Sequence, residues 1–151
     1  MKIVLQRVKK ASVTVDGTVV GSIGAGVLIF LGVDKNDTPE LADFLAEKCA
    51  ELRMFADEEH AMNRSLSETL GAALVVSQFT LLADCSRGRR PSFSQAAESG
   101  KGKGLYEYFV NKMRRLVPNV QTGIFGAMMD VELVNDGPVT LLLEKQEEAK
   151  T

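Results

Sequence analysis

Two short segments hold the residues best able to do chemistry: Ser77-Gln78-Phe79-Thr80-Leu81 and Asn135-Asp136-Gly137-Pro138-Val139-Thr140, each at the end of an apolar run. The first offers hydroxyls, a side-chain amide and main-chain N–H groups. The second offers rigid main-chain carbonyls, because proline fixes its own φ and carries no donor. Conventional catalytic side chains are scarce around them. His60 is the single histidine, so a Ser-His-Asp triad would have to recruit it from the polar stretch Asp57-Glu58-Glu59-His60, where a surface loop is the simpler assignment. Cys49 falls in a helical pattern and Cys85 in a polar loop, without the paired spacing of a disulfide framework or a zinc site. The expectation is a chemistry built largely from backbone groups, with no metal and no cofactor.

A chain of 151 residues is most simply one domain. At this size it buries roughly two thirds of its unfolded surface and needs no covalent staples. The composition, 45% apolar and 25% charged, is that of a globular protein, and no apolar run approaches the roughly 20 residues of a membrane span. Met1-Lys2-Ile3-Val4-Leu5-Gln6-Arg7 meets charge at once and lacks the long apolar core of a signal peptide, which points to the cytoplasm. The net charge of -2 hides an uneven distribution. Between Cys85 and Arg115, eight basic residues face Glu98 and Glu107, a local excess of +6. Such a run is either a solvated face or a phosphate-binding patch. Arg87, Arg89 and Arg90 are its densest part.

The positioning elements follow from pattern. Residues 2–8 read as a strand, and Ser12–Val15 joins Thr18–Ile23 through Asp16-Gly17, a strong two-residue hairpin signal. Val27–Val33 is a continuous apolar run suited to a strand buried on both faces. Asp37-Thr38-Pro39-Glu40 opens a helix with a capping oxygen, an early proline and an acid near the positive dipole end. Arg53–Ala56 suits a short strand and Ala72–Leu82 a longer one. Asp84–Gly104, basic and glycine-rich, reads mostly as loop, and Leu105, Phe109, Met113 and Leu116 mark a second helix stopped by Pro118. Strands over about 120–124 and 127–134 lead through the Gly-Pro segment to a last strand ending near Lys145. The pattern implies an α+β fold: one domain over 1–145, a strongly curved, barrel-like antiparallel or mixed sheet with two packed helices, and a flexible tail over 146–151.

Locally, Gly137-Pro138 reads as a turn and Phe79 with Leu81 as core. Asn135-Asp136-Gly137 already supplies turn residues, however, so Pro138 is not needed merely to reverse the chain. Taken together with Gln6-Arg7-Val8, Arg90-Pro91-Ser92-Phe93 and Phe125-Gly126-Ala127 followed by Met129, the two segments resemble the D-aminoacyl-tRNA deacylase family over nearly the whole length.

That resemblance implies a homodimer that hydrolyses the ester joining a D-amino acid to the 3′ end of tRNA and also removes glycine mischarged onto alanine tRNA. It implies a cis Gly137-Pro138 step, projecting from one subunit toward the other's Ser77–Thr80, whose carbonyls hold the substrate's α-amino group and whose wall excludes an L side chain. Backbone amides near Gln78, Phe79 and Thr80 would hold the developing oxyanion, with Ser77 or the Gln78 side chain shaping the pocket. Thr80 is either a nucleophile, for which no neighbouring base is evident, or a positioning group beside the 2′-hydroxyl of the terminal adenosine. Arg7 would brace the Gly-Pro segment, where a surface charge is the alternative. Asn135 and Thr140 would support it, and Phe125 and Met129 would line an adenosine pocket or belong to the core. Arg87, Arg89 and Arg90 would contact tRNA phosphates. The competing class is a non-enzymatic RNA-binding module, which would need exposed aromatics for stacking.

Overall fold

The chain opens on a 14-residue strand, β1 (Lys2–Val15), longer than the two separate stretches expected from the pattern. A hairpin at Asp16 and Gly17, with φ of 49° and 77°, returns it as β2 (Thr18–Ile23), the positive pair that a two-residue turn requires. β3 (Gly26–Gly32) pairs antiparallel with the first half of β1. α1 (Pro39–Glu51) follows, its start differing from expectation. Thr38 makes no capping bond, and Asp37 instead accepts hydrogen bonds from the Met1 amine at 2.7 Å and the Asp34 amide at 2.7 Å.

A two-stranded ribbon, β4 (Arg53–Phe55) with β5 (Arg64–Ser65), leads into a single helical turn, α2 (Leu66–Thr69). Ser65 and Glu68 close a reciprocal capping box there. β6 (Ala72–Ser77) runs parallel to β3. The strand expected over 72–82 ends at Ser77, because the Gln78 amide turns to the Leu31 carbonyl and Phe79–Leu82 wind into a 3₁₀ turn. α3 (Ser99–Leu116) begins six residues before Leu105, so the glycine-rich stretch is helical rather than loop. Glu98 makes this possible by accepting from the amides of Gly100 and Lys101. β7 (Asn119–Thr122) runs parallel to β6, and β8 (Asp130–Glu144) runs antiparallel to β1.

The strand order is β2-β1-β3-β6-β7, with β8 on the other edge of β1. The result is one α+β domain with a nearly closed, curved mixed sheet; α1 and α3 are the two expected helices, and α2 is added to them. Alternation sorts the sheet into two faces. Val27, Ile29, Leu31, Ala73 and Val75 join the core under the helices, and Leu28, Leu74 and Val76 fill the concave side. Phe109 and Met113 of α3 are fully buried against the first group, each burial contributing about 1.5–3 kcal/mol. The computed structural model describes residues 1–148; of the expected tail, residues 149–151 lie outside the described residues.

The largest departure from the pattern is at Gly137-Pro138. No hairpin lies there: β8 passes straight through, and both its halves pair with β1. Gln6 pairs with Thr140 and Val8 with Asn135, so residues 136–139 bulge outward opposite Arg7 alone. At this irregularity β1 and β8 both change face. Leu5, Leu141 and Leu143 pack under the helices, whereas Val13, Val131 and Leu133 pack on the concave side.

Candidate active site

A cleft of about 760 Å³ opens where the parallel strands β3 and β6 reach their carboxyl ends, the usual position for a site in a parallel α/β arrangement. Leu31, Val76 and Ser77 form its floor. Gln78 and Phe79 with Phe93 form one wall, and the first turns of α3 with Phe125–Met129 form the other. The cleft brings together Ser77, Gln78, Phe79, Phe125 and Met129; it does not include Thr80, Arg7, Asn135, Gly137, Pro138, Thr140, Arg87, Arg89 or Arg90.

The wall at Gln78–Thr80 is built by main-chain bonding. The Gln78 amide donates to Leu31 O at 2.8 Å, and the Leu81 amide donates back to Gln78 O at 3.2 Å. The amides of Phe79 and Thr80, first in the 3₁₀ turn, have no acceptor among the described residues. These two are therefore the segment's available donors. The Gln78 side-chain amide donates to the Thr80 hydroxyl, which is exposed. An amide cannot take up a proton, so the contact orients Thr80 without activating it.

Several residues singled out by no motif complete the site. Tyr106 packs on Phe125 with ring centroids 5.8 Å apart, and its buried hydroxyl donates to Val75 O at 2.9 Å. Burial pushes that hydroxyl up to about 12. Gly102 faces the Phe125 ring, where a methyl would stand 3.5 Å away, an ordinary van der Waals contact. Glu98, the carboxylate lining the cleft, is held below the usual carboxylate range by the amides of Gly100 and Lys101. The Glu98 and Tyr106 contributions arise from the tertiary path of α3, although the capping role of an acid before a helix was a readable signal.

The bulge at residues 136–139 forms a second cluster. Arg7 donates from Nε to Asp136 O at 3.0 Å and from Nη1 to Met54 O at 2.6 Å, so two main-chain carbonyls hold its guanidinium. Asn135 Oδ1 accepts from the Val139 amide at 2.9 Å, while Asn135 Nδ2 and Gln6 Nε2 both donate to Thr140 Oγ1 at 3.2 Å. The Gly137-Pro138 peptide is cis and Gly137 has φ of 133°, a conformation available to glycine. Both residues are exposed.

The two clusters are separate within one chain. Arg7 pairs with Val27, four residues before the Leu31 end of β3, a distance along the strand of roughly 13 Å. β8 also leaves its outer edge unpaired among the described residues, with Val134 41% and Leu142 77% exposed along it. Beside the cleft, the amides and carbonyls of Asp84 and Ser92 pair at 2.7 and 2.9 Å, closing a loop that exposes Arg87, Arg89 and Arg90. Phe79, read in the sequence as core, is 59% exposed and meets Phe93 of the basic loop, itself 38% exposed, edge to face at 5.2 Å. His60 lies in an exposed turn over Asp57 and does not line the cleft.

Comparison with known proteins places these features in one family. The family model described as D-Tyr-tRNA(Tyr) deacylase matches residues 4–144. A D-aminoacyl-tRNA deacylase from Roseiflexus castenholzii is 60% identical over 144 residues, covering 95% of this chain and 92% of that protein. One from Exiguobacterium sibiricum is 57% identical over 145 residues, covering 96% and 100%. The solved structure of a c-Myc DNA Unwinding Element Binding Protein is similar in fold, with a TM-score of 0.91 and 37% identity over 97% of this chain and 100% of that one. The chain belongs to the D-Tyr-tRNA(Tyr) deacylase family.

Proposed function

We propose that this protein is an editing hydrolase that cleaves the ester between a D-amino acid and the 3′-terminal adenosine of tRNA, releasing free D-amino acid and tRNA. The observation that carries the proposal is the pair of unengaged amides at Phe79 and Thr80, set beside a cleft whose opposite wall is Phe125 to Met129. Two preorganised donors suit an ester oxygen that becomes negative as water adds to the carbonyl carbon. The tetrahedral intermediate then breaks its bond to the ribose 3′ oxygen, which leaves with a proton. The 2′-hydroxyl of the same adenosine assists this transfer. Thr80, oriented by Gln78, positions the substrate rather than attacking it. Ser77 shapes the floor, and Phe125 with Met129 takes the adenosine.

Chirality is read by a second copy of the chain. Gly137-Pro138 stands on the uncovered edge strand and roughly 13 Å of strand away from its own cleft, so in a homodimer it reaches the partner's cleft instead. Its carbonyls accept from the substrate ammonium, which has three donors and no acceptor. The bulge held by Arg7, Asn135 and Thr140 leaves no room for an L side chain. Glycine has no side chain to exclude, so glycyl-tRNA(Ala) is a second substrate. Arg87, Arg89 and Arg90 meet the tRNA backbone, and the reaction runs in the cytoplasm, where charged tRNA is found.

The test is a matched pair, D-tyrosyl-tRNA and L-tyrosyl-tRNA, incubated with the purified protein while free tyrosine is measured. Release from the D ester alone is expected; equal release from both, or none from either, overturns the proposal. A nucleic-acid-binding module is the second reading, favoured by the exposed Phe79 and Phe93 pair beside the basic loop. Tight binding of uncharged single-stranded RNA with no hydrolysis of either ester would establish it.

A further inference from the structure

Behind Phe125 lies a second cleft, of about 440 Å³, which the adenosine site does not use. Its one wall is a stripe of α3, Lys103, Glu107, Val110 and Arg114, and its other is Thr122–Phe125 beyond the end of β7. Positions 103 and 114 are eleven residues apart, close to three full turns, so both cations fall on one face of the helix about 16 Å from each other. Neither forms an ion pair among the described residues. Arg114 makes a 3.5 Å contact to Asn111 Oδ1, and its remaining guanidinium donors have no partner among the described residues. Ile124, 45% exposed, adds apolar surface to the same cleft.

The two clefts are neighbours through shared side chains: Tyr106 and Phe125 line both. A ligand whose last unit occupies the first cleft meets the second directly across the Phe125 edge. We infer that the second cleft receives the single-stranded nucleotides immediately 5′ of the terminal adenosine, with Lys103 and Arg114 on their phosphates and Ile124 and Phe125 against a base or ribose. This subsite rests on the deacylase reading, because it takes its direction from an adenosine placed in the first cleft. Glu107, between the two cations, opposes the same phosphates and keeps the cleft from being a uniform anion trap. The arrangement lets the enzyme grip a flexible RNA end by charge and stacking without reading its sequence.

Two substrates separate this subsite from the reaction itself: a D-tyrosyl-tRNA and a 3′-D-tyrosyl-adenosine that carries the same ester but no phosphate. The double variant Lys103→Ala, Arg114→Ala should raise KM for the tRNA by about tenfold and flatten its log-log salt slope by about 1.4, the value for two contacts on a single strand. KM for the aminoacyl-adenosine should stay within about twofold, since that substrate lacks the groups the cations hold. Glu107→Gln should move KM for the tRNA in the opposite direction. Unchanged tRNA kinetics in the double variant, or equal losses on both substrates, would overturn the subsite while leaving the deacylase reading intact. A wild-type protein that hydrolyses neither ester would overturn that reading and the subsite with it.

Discussion

Gly32 offers the sharpest way to disturb the site without touching a polar group. It ends β3 directly beneath the 3₁₀ turn, and a methyl carbon added there would lie 2.6 Å from Leu82 Cδ2 and 3.0 Å from both Gln78 O and Leu81 Cβ. Carbon contacts settle at about 3.5–4.0 Å, so relief takes about 1 Å. Leu82 is only 4% exposed and cannot swing clear, which transfers the displacement to the backbone of residues 78–82. Overpacking of this kind costs about 1–3 kcal/mol. For a chain of this length that is a fall in Tm of about 2–4 °C per kcal/mol. The kinetic cost is larger, because a displacement near 1 Å of groups that must meet the reacting ester costs on the order of 100-fold. Gly32→Ala should therefore melt several degrees lower yet remain folded at assay temperature, with kcat/KM for D-tyrosyl-tRNA down by about two orders of magnitude. Gly104→Ala is the control: the position is helical with open space around it, so the change should stabilise by up to about 1 kcal/mol. A Gly32→Ala protein with a lowered Tm and wild-type kcat/KM would show that the Phe79 and Thr80 amides do not hold the reacting ester.

Thr80→Ala removes the hydroxyl but keeps its amide, so deacylation should fall by less than about tenfold; loss of all measurable activity would make Thr80 the nucleophile. Replacing Arg87, Arg89 and Arg90 by alanine should weaken tRNA binding and reduce its salt slope by about 2, as filter binding across a salt series would show; unchanged binding would make the loop a solvated face. Tyr106 has an ordinary pKa of 10.0, raised to about 12 by burial. Its folded value exceeds its unfolded one, so the stability it contributes is complete below pH 10 and is lost as pH rises through about 12. Denaturant midpoints should fall across that window in the wild type and stay flatter in Tyr106→Phe; superimposable profiles would contradict the assignment.

What could be read from the chain was whatever depends on neighbours in sequence. Asp16-Gly17 dictates its turn through two positive φ values, and Leu105, Phe109 and Met113 announce the buried face of α3. The capping box at Ser65 and Glu68 is equally local, a serine followed three positions later by an acid. Phe79 and Leu81 alternate as a strand would, and only the bond from Gln78 N–H to Leu31 O, across 47 positions of chain, diverts them into a 3₁₀ turn. The bulge at Gly137 was unreadable for a related reason. Leu133 and Leu141 look like two strands around a turn, and only pairing of both halves with β1 shows a continuous strand changing face. Motif residues marked the site's chemistry, whereas its walls at Glu98, Gly102 and Tyr106 depended on how α3 crosses the carboxyl ends of the strands.

The central claim is that one subunit's Gly137-Pro138 selects the substrate bound beside another subunit's Phe79 and Thr80. Gly137→Ala should disable the selector alone, because a methyl there would lie 2.9 Å from Val139 Cγ2 and 3.2 Å from Arg7 Nη2 at a φ of 133°. Ala127→Trp should fill the cleft alone. If each variant is inactive by itself, unfolding and refolding the two together in equal amounts gives heterodimers with one intact composite site, restoring about a quarter of wild-type D-tyrosyl-tRNA hydrolysis. Recovery to that level, with L-tyrosyl-tRNA still untouched, is the expected result. Mixed dimers that form but remain inactive would contradict the account.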